Sequence, residues 1–382
     1  MRITEKKLFD KSVVVVTHYY GTGPGEALRD YLPDKVANFF WLGYPLFQGK
    51  PIIQITDNSK QKTVKENRWF GMPEVIRYCY EVLNTIKQLI KTGQSCDLYI
   101  GIDSLNALAG IILKRLGRVK KVAFYTIDFV PQRFNNPLLN ALYHRIDRFC
   151  VENADITWNL SARMAEGREK VSGYPRKLRE KQMELPIGVW WSRIKPKKAI
   201  GNRAIFVGHI TEKQGVQVVI DAIPEITKAI PNFHLDVAGD GPYRSTLEEQ
   251  VKRLGLSKYV TFHGFIKKDQ DVEKMVSRSA LTLALYRKEN DPFTYYADPG
   301  KLKVYLASGV PVLLTDLPAI ARKIERAKAG LLVKYDHHSV ARAIITLLKN
   351  PKELRNYRAN ARAFAKQFDW PTIFEKALRS VI

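Results

Sequence analysis

Short runs of β-branched and apolar residues alternate with longer stretches of helical periodicity along the whole chain. In the first half the runs predict strands at Ser12–His18, Asp97–Asp103, Lys121–Asp128 and Asp155–Ser161. In the second half they predict strands at Ala204–Ile210, His234–Gly239, Val260–Ile266, Leu281–Tyr286, Val310–Thr315 and Gly330–Lys334. Apolar runs of this length, separated by helices, are the pattern of buried parallel strands in βαβ units. Amphipathic helices are predicted at Gly215–Ile230 and Ser339–Asn350, and a last helix at Pro371–Ile382 follows Phe368 and Trp370. The expected fold class is therefore α/β, in two halves with the same grammar.

The halves meet near Leu185–Arg203, where Pro186, Gly188, Pro196 and Gly201 lie among several bases and a fresh strand begins directly afterwards. A polar link rich in proline and glycine between two α/β patterns reads as a domain boundary. The length of 382 residues also favours two domains, with 45% hydrophobic residues to fill two cores. The expected division is 1–188 and 202–370. Cys79, Cys96 and Cys150 form an odd, widely spaced set, with neither a disulfide framework nor metal-ligand spacing. The polar start Met1–Lys11 shows no signal-peptide pattern. The longest greasy stretch, Val36–Phe47, is too short to span a bilayer as a helix.

Charge changes the picture. Against 38 Asp and Glu stand 62 Lys and Arg, a formal net charge of +24. Such a surface attracts polyanions, whether nucleic acid, anionic lipid headgroups or phosphorylated substrates, and the sum alone does not choose among them.

Five segments carry candidate chemistry. Thr17–Glu26 follows the first strand and leads into a helix starting near Glu26, with Gly21, Gly23 and Gly25 in the turn beside His18. Glycines let a backbone approach a ligand, and a helix N-terminus offers free N–H groups to an anion. A tight strand-to-helix turn explains the same residues equally well. Phe206–Gly215 repeats the pattern, with Gly208, His209, and Lys213 placed where an ammonium could meet a diphosphate. Gly239 and Gly241 form a turn at the end of another strand, the edge where open α/β sheets bind ligands. Thr261–Phe265 offers aromatic rings, Phe265 among them, as a wall for a base. Asp298–Val312 is the most informative. A helix starts after Asp298-Pro299 and ends at Gly309, with Lys301 in its first turn as a point charge for a phosphate.

In this order, Phe206–Gly215, Gly239–Pro242, Val260–Gly264 and Pro299–Val312 resemble the motifs of GT-B glycosyltransferases, particularly family 4 and its relatives. The proline-x-lysine form at Pro299–Lys301 is also similar to membrane-associated bacterial glucuronosyltransferases of exopolysaccharide synthesis. The resemblance implies two Rossmann-like domains facing a central cleft, with the helix 371–382 crossing back to the N-terminal domain. It implies a nucleotide-sugar donor, UDP- or GDP-linked, as substrate, with no cofactor. The donor side would comprise Gly208, His209, Lys213, Gly239, Gly241, Phe265, Tyr286, Asp298, Lys301 and Tyr305; the acceptor side would comprise His18, Gly21, Gly23 and Gly25. The family's paired glutamates are replaced by Tyr296 and Val304, with Asp291 or Asp298 as substitutes, and its arginine after the first glycine is His209.

Sugar transfer builds negative charge on the departing diphosphate. Helix N-termini and Lys213 or Lys301 are the devices available to meet it. No Asp-x-Asp motif appears, so no metal is expected. A base for the acceptor hydroxyl is expected at Asp128, with Asp103 next; each could equally be a helix N-cap. A lipid-linked or oligosaccharide acceptor is expected. Between Arg163 and Arg203, twelve Lys and Arg face four Glu, with Trp190 and Trp191 among them, which suits an anionic membrane surface. Phe39-Phe40-Trp41 is a second candidate contact, although a buried strand explains that run too. The expected place is the cytoplasm, on the inner face of the membrane. A sugar-nucleotide epimerase, a non-catalytic relative, or a basic nucleic-acid-binding protein are the competing readings. No nucleic-acid motif supports the last, and no specific nucleic acid is expected.

Overall fold

A computed structural model of the chain describes residues 9–19, 23–46, 52–57, 60–66, 71–91, 95–287 and 292–382. It divides into two compact units, Met1–Pro186 with Trp370–Ile382, and Ile187–Asp369.

In the first unit the strands are β1 (Phe9–Tyr19), β2 (Val36–Pro45), β3 (Ile52–Asp57), β4 (Lys60–Glu66), β5 (Cys96–Ile102), β6 (Val119–Thr126), β7 (Ile156–Asn159) and β8 (Gln182–Glu184). They form one sheet in the order β4-β3-β2-β1-β5-β6-β7-β8. Pairing is parallel except at β3, which runs antiparallel to both β2 and β4. The helices are α1 (Pro24–Tyr31), α2 (Glu74–Lys91), α3 (Ser104–Arg115), α4 (Pro137–Asn153) and α5 (Ala162–Ser172). Val14, Val16, Leu42, Tyr99 and Phe124 lie in the core under them.

Apart from β1, which runs on to Tyr19, the strands found by their apolar runs end earlier than the pattern predicts. β5 stops at Ile102 because Asp103 turns to φ 68° and ψ 162°, a conformation no strand continues through. β3 and β4 escape the sequence reading because β3 mixes Ile with Gln, Thr and Asp and β4 holds a single apolar residue, Val64; β8 has only three residues. The Phe39-Phe40-Trp41 run is the middle of β2. Trp41 is 0% exposed, and its indole N–H donates to the Gly25 carbonyl at 3.0 Å, so this run is core and not a membrane contact.

One buried charge organises the far end of this sheet. The Arg168 guanidinium donates to both Asp147 carboxylate oxygens, at 2.7 and 2.8 Å, and to Asn159, Gln182 and Thr126. It ties α5, α4, β7, β8 and β6 together. A buried ion pair is tolerated only when its hydrogen bonds are met, as they are here.

In the second unit β9 (Asn202–Val207), β10 (Phe233–Ala238), β11 (Val260–Gly264), β12 (Leu281–Ala284), β13 (Val312–Leu314) and β14 (Gly330–Leu332) form a parallel sheet ordered β11-β10-β9-β12-β13-β14. Its helices are α6 (Val216–Ala229), α7 (Arg244–Arg253), α8 (Asp269–Arg278), α9 (Pro292–Tyr296), α10 (Gly300–Ala307), α11 (Ala321–Arg326), α12 (His337–Leu348) and α13 (Pro351–Ala365). Phe206, Ile223, Leu235, Leu283, Leu313 and Ile344 lie in its core. The segment after Pro186 packs onto this unit. The Trp191 indole donates to Arg362 O at 3.1 Å, with the Arg362 guanidinium 3.6 Å over its ring. Arg193 covers Trp190 at 3.9 Å. Both tryptophans are half-buried packing residues.

The last helix, α14 (Trp370–Arg379), belongs to the first unit. Phe374 meets Tyr31 of α1 at 5.5 Å, and Lys121 of β6 donates to Val381 O at 2.7 Å. Among the described residues no helix is long and apolar enough to cross a membrane.

Candidate functional site

Each unit gathers polar groups at the C-terminal edge of its own sheet, where parallel strands leave a crevice for ligands.

In the first unit His18 is the second-last residue of β1, β5 runs into Asp103, and β6 leads to Asp128. The His18 ring is held from both sides. Its Nε2 lies 2.8 Å from Glu81 Oε2, and its Nδ1 lies 3.1 Å from Asn106 Nδ2. The Asn106 amide also donates to Ile102 O at 2.6 Å, so its second N–H points at Nδ1. In the neutral ring Nδ1 then accepts, and the Nε2 N–H donates to Glu81. Tyr44 donates to the Glu81 carbonyl at 2.9 Å, and Tyr78 meets His18 edge-on at 5.7 Å. Sequence reasoning found His18 but missed Glu81, Asn106 and both tyrosines.

Asp103 is the strained residue of this edge. An aspartate at φ 68° and ψ 162° sits where glycine is nearly alone, at a cost of about 1–3 kcal/mol. Its place is the N-cap of α3, yet its side chain makes no capping hydrogen bond. The carboxylate instead accepts from Ile127 N at 3.4 Å. Burial, and next the negative charge of Asp128, push its pKa up to about 6, against the pull of Arg133 and His18. Asp128 is paired with Arg133 at 3.0 Å, and Arg133 lies over the Tyr143 ring at 5.4 Å. The two carboxylates thus differ: Asp128 is neutralised by a partner, while Asp103 is poised to take a proton.

The glycine turn of this unit serves structure. Gly23 is the N-cap of α1, and its N–H donates to Glu26 Oε2 at 3.1 Å, so a carboxylate of the chain itself already occupies that helix N-terminus. Gly25 is required by packing, since a Cβ there would lie 2.6 Å from Thr17 Oγ1. Gly21 lies outside the described residues.

In the second unit the edge is built around Lys301, in the first turn of α10. Its ammonium donates to Gln214 Oε1 and lies 4.5 Å from the Phe206 ring and 5.1 Å from the Tyr286 ring. Among the described residues no carboxylate pairs with it. Burial alone drives its pKa down to about 7. A cation so placed has no anion among the described residues. Gly208, at φ 142°, faces the same space: a Cβ there would point at Lys301 Nζ, 3.5 Å away.

Behind Gly208 two glycines are needed for close backbone approach. A Cβ on Gly239 would lie 2.0 Å from Gly208 O, and one on Gly241 would lie 2.3 Å from Ile210 O. These residues hold the Gly208 loop from behind. Gly239→Ala should therefore lower stability by about 2–4 kcal/mol through strain and overpacking. Nucleotide affinity should fall with it, as a melting curve and calorimetry would show; an unshifted melting temperature would contradict the packing. Tyr305 also supports the loop: its hydroxyl accepts from Val207 N at 2.8 Å and donates to Val207 O at 3.2 Å.

Asp298 differs from expectation. It is buried, accepts from Ile187 N at 2.8 Å and pairs with Lys303, so it braces α10 rather than facing a ligand. Lys213 and His209 lie exposed on the loop, and Phe265 is 74% exposed beyond β11. Asp291 lies outside the described residues. Gln214, one residue before Gly215, is the partner sequence reasoning missed. No group of three or more His, Cys, Asp and Glu among the described residues is placed to hold a metal ion.

Comparison with known proteins identifies the fold. Residues 191–364 match the family model of glycosyl transferases group 1. A phosphatidyl-myo-inositol mannosyltransferase of Mycobacterium leprae is 26% identical over 184 residues, 47% of this chain and 46% of that protein. An alpha-monoglucosyldiacylglycerol synthase of Streptococcus pneumoniae is 25% identical over 158 residues, 41% of this chain and 34% of its own length. The matched stretches thus span less than half of these curated relatives. Among solved structures, Anabaena HepE in complex with UDP superposes with a TM-score of 0.70 at 15% identity, covering 97% of this chain and 99% of that one. Sucrose-phosphate synthase from Thermosynechococcus elongatus does so with a TM-score of 0.71 at 17% identity and the same coverage. Residues 191–364 thus resemble the glycosyl transferases group 1 family, and the chain that carries them has the GT-B fold.

Proposed function

We propose that the protein is a glycosyltransferase that takes a sugar from a nucleoside-diphosphate sugar, UDP- or GDP-linked, and places it on a hydroxyl of a lipid-linked or saccharide acceptor in cell-envelope polysaccharide or glycan synthesis. The observation that carries this reading is the buried Lys301 ammonium, without a carboxylate partner among the described residues, beside the bare backbone of Gly208. In the reaction the bond from C1 of the sugar to the diphosphate oxygen breaks, and a bond from C1 to the acceptor oxygen forms. The electron pair leaves with the diphosphate. Lys301 and the N–H groups opening α10 meet that growing charge in a partly dry site, where such contacts are strongest. With these charges supplied by the protein, turnover is expected to persist in a chelator.

The acceptor hydroxyl must lose its proton. We assign that proton to Asp103 ahead of Asp128, because Asp128 is already neutralised by Arg133. The relatives named for phosphatidyl-myo-inositol and diacylglycerol substrates support a lipid-linked acceptor. Together with the charge of +24, they support a protein attached to the inner face of the cell membrane. Thermal shift with UDP-, GDP-, ADP- and TDP-sugars tests the donor assignment. One class should raise the melting temperature as its concentration passes its Kd. If no sugar nucleotide stabilises the protein at millimolar concentration, the reading fails.

A further inference from the structure

α2 is turned inside out. Its buried positions, four apart, are Arg77, Glu81, Thr85 and Leu89, three of them polar, while an apolar stripe of Val75, Leu83 and Ile90 faces outward. An 18-residue helix in water normally does the opposite, because burying apolar surface is the main favourable term. The Glu81 carboxylate is 2% exposed, a placement that is rare unless the fold uses the charge. It faces the His18 ring, itself only 9% exposed, at 2.8 Å. From there the contacts run on to Asp103. With the Nε2 N–H of His18 donated to Glu81, Nδ1 is left as the acceptor for the Asn106 amide at 3.1 Å. The same amide nitrogen donates to Ile102 O at 2.6 Å. That carbonyl belongs to the peptide group that enters Asp103, and the N–H of this peptide donates to Tyr125 O at 2.9 Å. The peptide is therefore gripped on both sides. On the far side of Asp103, its own carbonyl accepts from Ala107 N at 3.0 Å. α3 comes this close to β5 because Gly101 has no side chain: a Cβ there would lie 2.5 Å from Ala107 Cα. A residue at φ 68° and ψ 162° relaxes unless its surroundings over-determine it, and these contacts do so.

We propose that Glu81 and Asn106 are positioning residues for sugar transfer, acting in series through His18. Glu81 fixes the tautomer of the ring, Nδ1 of the ring fixes the Asn106 amide, and Asn106 fixes the peptide that aims the Asp103 carboxylate at the acceptor hydroxyl. In the other tautomer the Nδ1 N–H would point at the Asn106 N–H. The amide could not turn to accept it without setting its oxygen against Ile102 O, so the grip on Asp103 would open. Both ring nitrogens of His18 are engaged within the protein, so the ring orients the base and is not the base. The inward polar face of α2 thereby gains its purpose. This inference rests on the assignment of the acceptor's proton to Asp103 for its role in transfer, and on the geometry of the first unit for the relay itself.

The test follows the Asp103 carboxyl itself, by carboxyl-carbon NMR of the full chain labelled at aspartate, with Asp103→Asn identifying the resonance. In the unsubstituted protein it should titrate at about 6. Asn106→Ala frees the Ile102 carbonyl, so the carboxyl should turn towards water and its midpoint should fall towards about 3.9, the value of an exposed aspartate. Glu81→Ala should shift it the same way, since His18 is then free to take the other tautomer. Glu81→Gln keeps an acceptor for the Nε2 N–H and should hold the midpoint near the unsubstituted value. Because the residues act in series, Glu81→Ala should add nothing to the shift of Asn106→Ala. Turnover should fall about tenfold or more in both alanine variants, with the nucleotide Kd unchanged and the inflection of kcat/KM moving with the carboxyl. Circular dichroism checks the fold of each variant, and Glu81→Ala carries the test if Asn106→Ala does not fold. An unmoved midpoint in either folded alanine variant would overturn the proposal. So would shifts that add in the double variant, or a Glu81→Gln protein that behaves like Glu81→Ala. If the midpoints move as expected but Asp103→Asn keeps its turnover, the relay stands and the assignment of the acceptor's proton to Asp103 fails instead.

Discussion

Lys301→Met should remove most of the affinity for a sugar nucleotide and, at the same time, make the protein more stable. The loss follows from a charge-assisted contact, worth about 1.5–3 kcal/mol, or roughly ten- to a hundredfold in Kd. The gain follows from the cost of the buried cation. Lysine in an unfolded chain titrates near 10.4, while burial holds Lys301 at about 7. Between those values the unfolded state binds the extra proton, so wild-type stability rises with pH across that window. At pH 7 and below the full cost is present, and methionine relieves it by an amount on the order of 2 kcal/mol. By pH 10 the advantage of methionine should have faded. Binding carries the complementary signature. A diphosphate beside Lys301 restores its proton, so wild-type affinity should be flat below pH 7 and fall by up to tenfold per unit above it. The methionine variant should show no such slope. Calorimetry and melting curves from pH 6 to 10 check both; a variant that binds normally, or is destabilised at pH 7, contradicts the assigned role.

This site was largely legible in the sequence because its parts are backbone features with residue signatures. Glycine is needed where φ reaches 142° at Gly208, and where Gly239 crosses it within 2.0 Å of a would-be Cβ. A helix that opens on Pro299-Gly300-Lys301 shows its charge at a known place in its first turn. Parallel strands buried on both faces also announce themselves by composition. What sequence could not show was partner choice over long separations. Asp298 looked like a ligand contact, but Lys303, five residues on, and Ile187, 111 residues away, claim it. Arg168 counted as one base in a basic stretch, while the fold buries it against Asp147. Glu81 had no signal at all: a lone acid on a helix reads as solvated, and only the fold brings His18, 63 residues earlier in the chain, against it. The apolar stripe of α2 misleads in the same way, since helical periodicity reports that a face exists and not which way it points.

Asp103→Asn should cut turnover by about a hundredfold or more while leaving nucleotide affinity unchanged, because it removes a general base and leaves Lys301 and Gly208 as they are. The pH profile separates this role from a structural one. The wild-type kcat/KM should rise with unit slope and level off above about 6, where Asp103 loses its proton. The asparagine variant should retain a low rate without that inflection. Stability gives an independent reading with a defined sign. The folded state holds the Asp103 proton more tightly than the unfolded chain, in which aspartate titrates near 3.9. Wild-type stability therefore falls as pH rises from about 4 to about 6, and the cost is complete above that. Asparagine is neutral and tolerates positive φ better than most residues. It should stabilise the protein by about 1 kcal/mol at pH 8 and by much less at pH 4. Asp128→Asn should act differently: it leaves Arg133 unpaired and removes the charge that raises Asp103, so the inflection should move below 6 rather than vanish. If Asp103→Asn keeps its turnover and Asp128→Asn abolishes it, the proton goes to Asp128. If neither matters, the departing diphosphate itself takes the proton, and the two carboxylates serve only to orient the acceptor.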